Sequence, residues 1–220
     1  MKRASQAIGV MGGTFDPIHY GHLVAAEAVR ARLDLDRVVF VPAGRPPHKA
    51  DKPVSDARHR YLMTVMATVT NPNFAVSRIE IDRPGPSYTV DTVRQFRAEA
   101  GARARLYFIT GLDAVREILT WREPDVFLRL CRLVAVTRPG YAVRSVEALR
   151  SRLRAVADEQ PLEILEVPAL AISSSDVRRR VAASEPIKYL VPESVETYIQ
   201  KVGLYRSGGA DAADPGEVFG

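Results

Sequence analysis

Cysteine, tryptophan and long apolar runs are scarce in this sequence. Its one cysteine, Cys131, excludes an intramolecular disulfide and fits a reducing compartment, so we expect a cytoplasmic protein. No run of about 18 apolar residues is present, which argues against a membrane-spanning helix. The apolar stretch behind residues 1–3 is short and leads into a polar motif, so we predict no targeting segment. With 220 residues, of which 46% are hydrophobic and 26% charged, the chain is long enough for a core that needs no disulfide or metal.

Acidic residues are outnumbered by basic ones, 26 against 31, which gives a net charge of +5. Residues 207–220, SGGADAADPGEVFG, hold three acids and no base, so the first 206 residues carry 31 basic and 23 acidic residues, or +8. The same segment has few large apolar residues. We therefore expect a disordered tail after a single domain over residues 1–206. The basic body favours an anionic partner without identifying it.

Strand-like and helix-like segments alternate along the chain. Apolar runs predict buried strands at residues 7–11, 37–41, 106–110, 133–137 and 162–167, and an alternating pattern predicts another at 74–81. Helical spacing predicts helices at 20–33, 55–69, 89–100, 145–156, 174–183 and 192–202, with one or two more between 113 and 131. This alternation predicts an α/β fold, namely a Rossmann-like doubly wound parallel sheet with a small C-terminal helical portion. Ligands of such sheets bind beyond the carboxyl ends of the strands, so functional motifs should follow strands.

Two local details accompany these elements. We expect Gly12 and Gly13 to end the first strand. In the helix over residues 55–69 we expect Ser55 to cap the N-terminus. The stripe of that helix that is expected to face the core consists of Leu62, Val65, Met66 and Val69.

The strongest motif is GGTFDPIHYGH at residues 12–22, between a predicted strand and a predicted helix. Glycine permits close approach of the backbone to a ligand, and His19 and His22 share one face at a helix start. Free N–H groups and the positive end of the helix dipole lie at the same place. The residues therefore indicate a polyphosphate site. A histidine pair for a metal, with no obvious third ligand nearby, and buried core histidines remain alternatives.

A second motif, ISSSDVRRR at residues 172–180, follows another predicted strand. Ser173 or Ser174 is suited to cap the helix, and Asp176 is suited to its first turn. A capped helix with a solvated basic face is therefore one interpretation. Hydroxyls beside guanidinium groups also fit phosphate oxygens, which is the other. Arg179 and Arg180 are expected to be surface charges.

Two further segments indicate a functional site less strongly than these two motifs. In PSYTVDT, residues 86–92, Ser87 or Thr89 is suited to cap a helix N-terminus. PPHK, residues 46–49, is typical of a solvated loop stiffened by proline. Neither segment indicates a site on its own.

Gly111-Leu112-Asp113 follows a predicted strand, and Asp113 is suited to cap the next helix. The lone Trp121 is more typical of a core than of a ligand site. Neither a Walker A loop nor a GxGxxG loop is present.

Five of these segments resemble one known superfamily. GTFDPIHYGH resembles the T/HxGH signature of the nucleotidylyltransferases, relatives of class I aminoacyl-tRNA synthetases, and ISSSDVR resembles their second signature, ISSTxIR. SYTVDT, PPHK and the Gly-x-Asp at residues 111–113 are similar to segments of the bacterial nicotinate-mononucleotide adenylyltransferases. The resemblance extends from about residue 8 to residue 205 and leaves the tail unmatched.

The resemblance implies roles for individual residues. It implies that His19, His22, Lys49 and Arg178 are catalytic. It implies an ATP site made of Gly12, Gly13, Thr14, Phe15, His19, His22, Gly111, Asp113, Ile172, Ser174, Ser175 and Arg178. It implies a nicotinate mononucleotide site made of Thr14, His48, Lys49, Tyr88, Thr89 and Trp121. It implies no metal held by the protein itself, since Mg²⁺ would arrive on ATP.

The resemblance also implies an activity. The family transfers AMP from ATP to nicotinate mononucleotide, forming deamido-NAD and pyrophosphate in NAD biosynthesis, by direct in-line attack with no covalent enzyme intermediate. ATP and nicotinate mononucleotide would then be the partners, rather than nucleic acid or a membrane. Dimers are common in the family, but the sequence does not fix the oligomeric state.

Three other functions compete with this interpretation. Phosphopantetheine adenylyltransferases share the first two signatures, but they are usually shorter and lack SYTVDT. Cytidylyltransferases for phosphorylated alcohols normally carry a different second signature. A nucleic-acid binder would use the basic charge, but no motif that combines stacking and basic residues is present.

Overall fold

A six-stranded sheet forms the centre of the protein. The computed structural model describes residues 6–46, 54–137, 144–156, 162–168 and 170–206, with the backbone alone for 144–146. The strands are β1 Ala7–Gly13, β2 Arg37–Pro42, β3 Phe74–Val76, β4 Arg105–Gly111, β5 Arg132–Thr137 and β6 Leu162–Glu166. All five neighbouring pairs are parallel, in the order β3-β2-β1-β4-β5-β6. The sequence prediction of a doubly wound parallel sheet is therefore confirmed.

The helices cover both faces of this sheet. They are α1 Tyr20–Arg32, α2 Ala57–Thr68, α3 Thr89–Ala100, α4 Leu112–Arg116, α5 Pro124–Leu130, α6 Arg144–Arg154, α7 Ser174–Ala182 and α8 Glu193–Val202, with a 3₁₀ turn at Ile118–Thr120. Within the described ranges, none of them combines the length and the apolar character that crossing a bilayer requires.

Alternating side chains of the central strands feed two hydrophobic cores. In β1, Met11 faces the core that also receives α1, α2, α7 and α8, whereas Val10 faces the core that receives α3, α4, α5 and α6. In β4, Ile109 and Phe108 divide in the same way. Both faces of these strands are covered, which explains why they appear in the sequence as continuous apolar runs.

The predicted stripe of α2 is only partly correct. Leu62 and Met66 are partly buried and pack against the core, whereas Val69 is 73% exposed. The fully buried side chains of the helix are those of His59, Arg60, Met63, Thr64, Ala67 and Thr68. Thr64 and Thr68 donate their hydroxyls to the carbonyls four residues earlier, at 2.7 and 2.8 Å, so their polar atoms are satisfied inside the helix. The N-cap is Asp56 rather than Ser55, because its carboxylate accepts the Arg58 N–H at 2.7 Å.

The ends of three strands also differ from the prediction. The strand expected at residues 74–81 stops at Val76, because the chain turns at Arg78, whose carbonyl accepts the N–H groups of Ile81 and Asp82. The first strand continues through its glycines, and Gly13 pairs with Pro42 of β2. The fourth likewise reaches Gly111.

Candidate active site

A cleft of about 500 Å³ opens at the carboxyl ends of β1 and β4. These two adjacent strands lie where the strand order reverses, which is the position at which open parallel sheets bind ligands. The ends of β1, β4 and β5, the start of α1 and the segment after β6 line the cleft. The predicted site residues that line it are Gly12, Gly13, Phe15, His19, His22, Gly111, Asp113 and Ile172.

The two glycines at the end of β1 leave room for aromatic rings. A Cβ atom on Gly13 would lie 2.8 Å from Cζ of Phe15, and one on Gly12 would lie 3.0 Å from Cζ of Phe108. Phe15 itself is buried and has a φ of 50°, a backbone conformation that is uncommon outside glycine. The glycine pair therefore leaves the space in which aromatic rings pack to form the cleft floor.

His19 and His22 form the start of α1. His19 is the N-cap residue in an extended conformation, and His22 lies three residues further, at N3. Their rings stack with centroids 3.8 Å apart, and Phe15 meets the His22 ring edge-on at 5.1 Å. The backbone N–H of His19 donates to Nδ1 of His22 at 3.2 Å. The prediction that the two side chains share one face is therefore confirmed.

Electrostatics keep His22 neutral. Burial, and then the charge of neighbouring His19, hold the pKa of His22 well below its ordinary value of 6.5. Because Nδ1 accepts a hydrogen bond, the single ring proton of the neutral imidazole lies on Nε2. His22 is thus a neutral N–H donor beside the free N–H groups of the α1 N-terminus, a combination suited to phosphate oxygens.

The second motif docks on the first. Ser173 is the N-cap of α7 and accepts the Asp176 N–H at 3.1 Å, which decides between the two predicted caps. The Ser174 hydroxyl donates to the carbonyl of Pro17 at 2.9 Å, and Arg178 Nη1 donates to the carbonyl of Asp16 at 2.5 Å. Residues more than 150 positions apart in the chain are thereby brought to the same end of the sheet.

Of the second motif only Ile172 lines the cleft, so Ser174, Ser175 and Arg178 lie outside the lining. Ser175 is exposed and shares a hydrogen bond of 3.0 Å with Ser173. Arg179 and Arg180 pair with Asp176, each at 2.8 Å, in agreement with their prediction as surface charges. Exposed pairs of this kind contribute about 0–1 kcal/mol.

Gly111 and Asp113 line the opposite wall of the cleft. Gly111 ends β4 and is the N-cap of the short helix α4. Asp113 lies within the first turn, so the interpretation of Asp113 as the cap is wrong. Its carboxylate is part of the cleft lining.

Among the described residues predicted for the mononucleotide, Tyr88, Thr89 and Trp121 are not part of this cleft lining. Tyr88 is the N-cap of α3 and Thr89 its first residue. The Arg122 guanidinium lies 4.7 Å from the centre of the Tyr88 ring. Trp121 packs edge-on against Phe108 and Phe127, with ring centroids 6.1 and 5.8 Å away.

The structure contradicts the predicted caps of α3 and does not place Thr14 in the cleft lining. Ser87 and Thr89 do not cap α3: the Ser87 hydroxyl accepts the backbone N–H groups of Gly44 and Arg45 instead, both at 3.0 Å. Thr14 is not among the lining residues, and its carbonyl accepts a bond from Arg60. The predicted residues His48 and Lys49, and the predicted tail over residues 207–220, lie outside the described residues.

Sequence reasoning missed a buried polar contact made by a residue of the first motif itself. Asp16 is 3% exposed, and its carboxylate accepts the Tyr205 hydroxyl at 2.6 Å and the Ser55 N–H at 3.2 Å. Burial, and then Asp16, hold the pKa of Tyr205 well above its ordinary value. Nothing in the local pattern marked Tyr205. The cleft residue Thr137, by contrast, follows from the rule applied to the other motifs, because it ends β5.

The chain matches known proteins over most of its length. Residues 10–180 match the model of the family described as cytidylyltransferase-like. Two relatives bear the name "Probable nicotinate-nucleotide adenylyltransferase". The protein of Moorella thermoacetica is 59% identical over 199 residues, covering 90% of this chain and 91% of the relative, and that of Thermoanaerobacter sp. is 56% identical, covering 90% and 94%.

Solved structures agree on the fold. The nicotinic acid mononucleotide adenylyltransferase of Plasmodium falciparum complexed with NaAD superposes with a TM-score of 0.73 at 20% identity, covering 91% of this chain and 97% of that one. The same enzyme complexed with APC gives a TM-score of 0.70. From the match over residues 10–180 and the identity to full-length relatives, the chain belongs to the cytidylyltransferase-like family and, within it, to the nicotinate-nucleotide adenylyltransferases.

Proposed function

We propose that the protein transfers AMP from ATP to nicotinate mononucleotide, releasing pyrophosphate and forming deamido-NAD for NAD biosynthesis. The observation that carries this proposal is the stacked His19–His22 pair at the α1 N-terminus, in a cleft at the point where the strand order reverses. The names of the relatives supply the second substrate. We further propose that residues 1–206 form one domain and that the protein acts in the cytoplasm.

The cleft is proposed as the ATP site. Gly12, Gly13, Thr14 and Phe15 would border the α-phosphate, and the two histidines would donate to phosphate oxygens. Asp113 would accept ribose hydroxyls from the opposite wall, beside Gly111. The remaining part of the ATP site, around the triphosphate, would be formed by Ile172, Ser174, Ser175 and Arg178. The contacts of Ser174 and Arg178 with residues 16–17 support this placement.

The start of α3 is proposed as the mononucleotide site. The helix N-terminus at Thr89 offers free N–H groups that suit the nicotinate carboxylate, with Tyr88 adjacent. Trp121 would stack on the nicotinate ring. Thr14 would contribute from the ATP side, and His48 and Lys49 from the loop before α2. The packing of Tyr88 and Trp121 against the same hydrophobic core supports their grouping.

The reaction needs no covalent enzyme intermediate. The phosphate of nicotinate mononucleotide is mostly ionised at pH 7, since its second pKa is about 6, and it would attack the α-phosphorus in line. Catalysis would then depend on alignment and on donors that meet developing negative charge. His19, His22, Lys49 and Arg178 are the proposed donors. Because its lowered pKa keeps the imidazole neutral, His22 would act through its remaining Nε2–H as a hydrogen-bond donor to a phosphate oxygen.

Mg²⁺ is proposed to enter with ATP. Among the described residues, no three or more His, Cys, Asp or Glu side chains cluster as a cage for a metal ion. Oxygens of the phosphates and water would therefore supply most ligands, as Mg²⁺ commonly prefers. Bound in this way, the ion would neutralise part of the triphosphate charge. A homodimer is the assembly that family resemblance favours, and nucleic acid and membranes are not proposed as partners.

Pyrophosphate release tests the proposal. We expect the purified protein to release pyrophosphate from ATP with nicotinate mononucleotide and to form deamido-NAD, with weaker turnover of nicotinamide mononucleotide. Phosphopantetheine serves as the control acceptor, because enzymes that use it share the first two motifs. Turnover of phosphopantetheine in the absence of turnover of nicotinate mononucleotide would refute the activity. A strong preference for nicotinamide mononucleotide would refute the choice of acceptor alone.

A further inference from the structure

The buried face of α2 carries a positive charge. Arg60 is 1% exposed and heads the largest fully buried side chains among the described residues. Burying a guanidinium costs several kcal/mol unless its donors are satisfied, and an apolar side chain of similar volume is often at least as stabilising. Burial lowers the pKa of Arg60, and the charge of Asp16 is the main influence that opposes this shift. Packing alone therefore gives no reason for an arginine at this position.

Arg60 donates to the backbone of three separate segments. Its Nη1 lies 2.8 Å from the carbonyl oxygen of Thr14, its Nη2 3.2 Å from that of Gly44, and its Nε 2.9 Å from that of Ser55. The three acceptors follow β1, follow β2 and precede α2. The planar guanidinium fixes the relative directions of these donors, which a lysine ammonium cannot do.

Two of the three acceptors belong to the two halves of the site. Thr14 lies between cleft-lining residues at the end of β1. The backbone N–H of Gly44 donates to Ser87, and Ser87 directly precedes Tyr88, the N-cap of α3. The space at this junction is tight, because a Cβ atom on Gly44 would lie 2.2 Å from a backbone oxygen. A continuous series of hydrogen bonds therefore connects the backbone beside the cleft, through Arg60 and Gly44, with Ser87 at the start of α3.

We propose that Arg60 is a positioning residue that sets the distance between the cleft and the α3 N-terminus without touching either substrate. This inference rests on the adenylyl transfer proposed above, with ATP in the cleft and the mononucleotide at α3. In-line transfer requires reacting atoms about 3–3.5 Å apart, and a misplacement of about 1 Å costs on the order of 10²-fold in rate. Loss of Arg60 should therefore affect the step that needs both substrates in register more than the binding of either alone.

The variants Arg60→Lys and Arg60→Met test this role. We expect kcat to fall about 10²-fold in both, while the Kd of ATP and that of nicotinate mononucleotide, each measured alone by calorimetry, change less than about threefold. Arg60→Lys keeps the charge but loses the fork, so it should rescue folding more than rate. In Arg60→Ala, millimolar guanidinium should restore part of kcat. Thr68→Val is the matched control, since Thr68 is buried on the same face and its hydroxyl donates to carbonyls of its own helix.

The following outcomes would overturn the positioning role of Arg60. A folded Arg60→Lys protein with kcat within about threefold of wild type overturns the positioning role, as does an equal loss of kcat in Thr68→Val at equal loss of Tm. Failure of both Arg60→Lys and Arg60→Met to fold would make the residue purely structural and also reject the proposal. These results leave the proposed function standing, because the wild-type protein would still transfer AMP. A wild-type protein without that activity removes both proposals.

Discussion

Replacement of His22 by alanine tests the chemistry of the cleft most directly. The change removes the Nε2–H donor at the α1 N-terminus together with the ring that stacks on His19. The backbone N–H groups of the helix start remain. The proposed phosphate site would thus lose one donor while keeping its shape.

The expected loss follows from the geometry of that donor. A donor that is oriented before the substrate arrives and is shielded from water typically contributes on the order of 10²–10³ in kcat, or about 2.7–4 kcal/mol. His22 is oriented in this way, because its Nδ1 is held by the His19 N–H, and its lowered pKa keeps the imidazole neutral in the half-buried cleft. The cost to folding should be smaller, about 0.5–1.5 kcal/mol, since one hydrogen bond of 3.2 Å is lost.

The assay is steady-state release of pyrophosphate with saturating nicotinate mononucleotide and varied ATP, together with Tm for each variant. His22→Gln retains a neutral N–H donor, so its kcat should fall between those of wild type and His22→Ala. His59→Gln is the matched control: His59 is a buried histidine outside the cleft lining, and it bonds the Tyr198 hydroxyl at 2.8 Å on the α2–α8 side. We expect His59→Gln to lower Tm and to leave kcat within about twofold of wild type.

Turnover of His22→Ala within about threefold of wild type would refute the assignment of His22. An equal fall of kcat in His59→Gln would attribute the effect to general destabilisation. Equal loss in His22→Ala and His22→Gln would indicate that the imidazole ring, rather than a neutral donor, is what the reaction requires.

Three further predictions concern stability. Burial lowers the pKa of His22 below 6.5, so as pH falls the unfolded state binds this proton before the folded state does. The contribution of His22 to the free energy of unfolding is therefore fully present above about pH 6.5 and declines as pH falls. Urea unfolding at a series of pH values should show a smaller decline in His22→Gln than in wild type. Tyr205→Phe removes the 2.6 Å donor to buried Asp16 and should cost about 1.5–3 kcal/mol in urea unfolding, and an unchanged midpoint would contradict that contact. Gly44→Ala places a Cβ atom 2.2 Å from the Glu80 carbonyl oxygen, so we expect a loss of about 1–3 kcal/mol and a Tm about 2–4 °C lower for each kcal/mol, whereas a wild-type Tm would show that the loop relaxes freely.

The sheet and the position of the cleft follow closely from the sequence. Strands with two buried faces appear as continuous apolar runs, and glycine–histidine and Gly-x-Asp segments after such runs fall at the carboxyl edge of the sheet. The rule needs only the order of elements, so it located residues 12–22 and 111–113 at the cleft without knowledge of side-chain contacts.

The buried face of α2 could not be predicted in the same way. The expected stripe relied on apolar periodicity, but the core-facing positions include Arg60, Thr64 and Thr68. The threonines satisfy their hydroxyls within the helix, and Arg60 finds its acceptors in segments distant in sequence. A local sequence pattern cannot predict partners that are distant in the sequence. The same holds for Asp16, whose buried carboxylate is paired with a residue near the end of the described chain.

The joining of the two ends of the chain has a consequence for the protein as it is synthesised. Ser174 bonds Pro17 across 157 positions, and Tyr205 bonds Asp16 across 189. A ribosome releases the glycine–histidine loop first, and these partners emerge only after 157 and 189 further positions have been added. Until then the carbonyls of residues 16–17 and the Asp16 carboxylate have only water as a partner for these bonds. A nascent chain that stops between β6 and α7 would therefore hold all six described strands and still lack the bonds that hold α7 and Tyr205 beside the cleft, so we expect the site to be completed only once these later segments have been made.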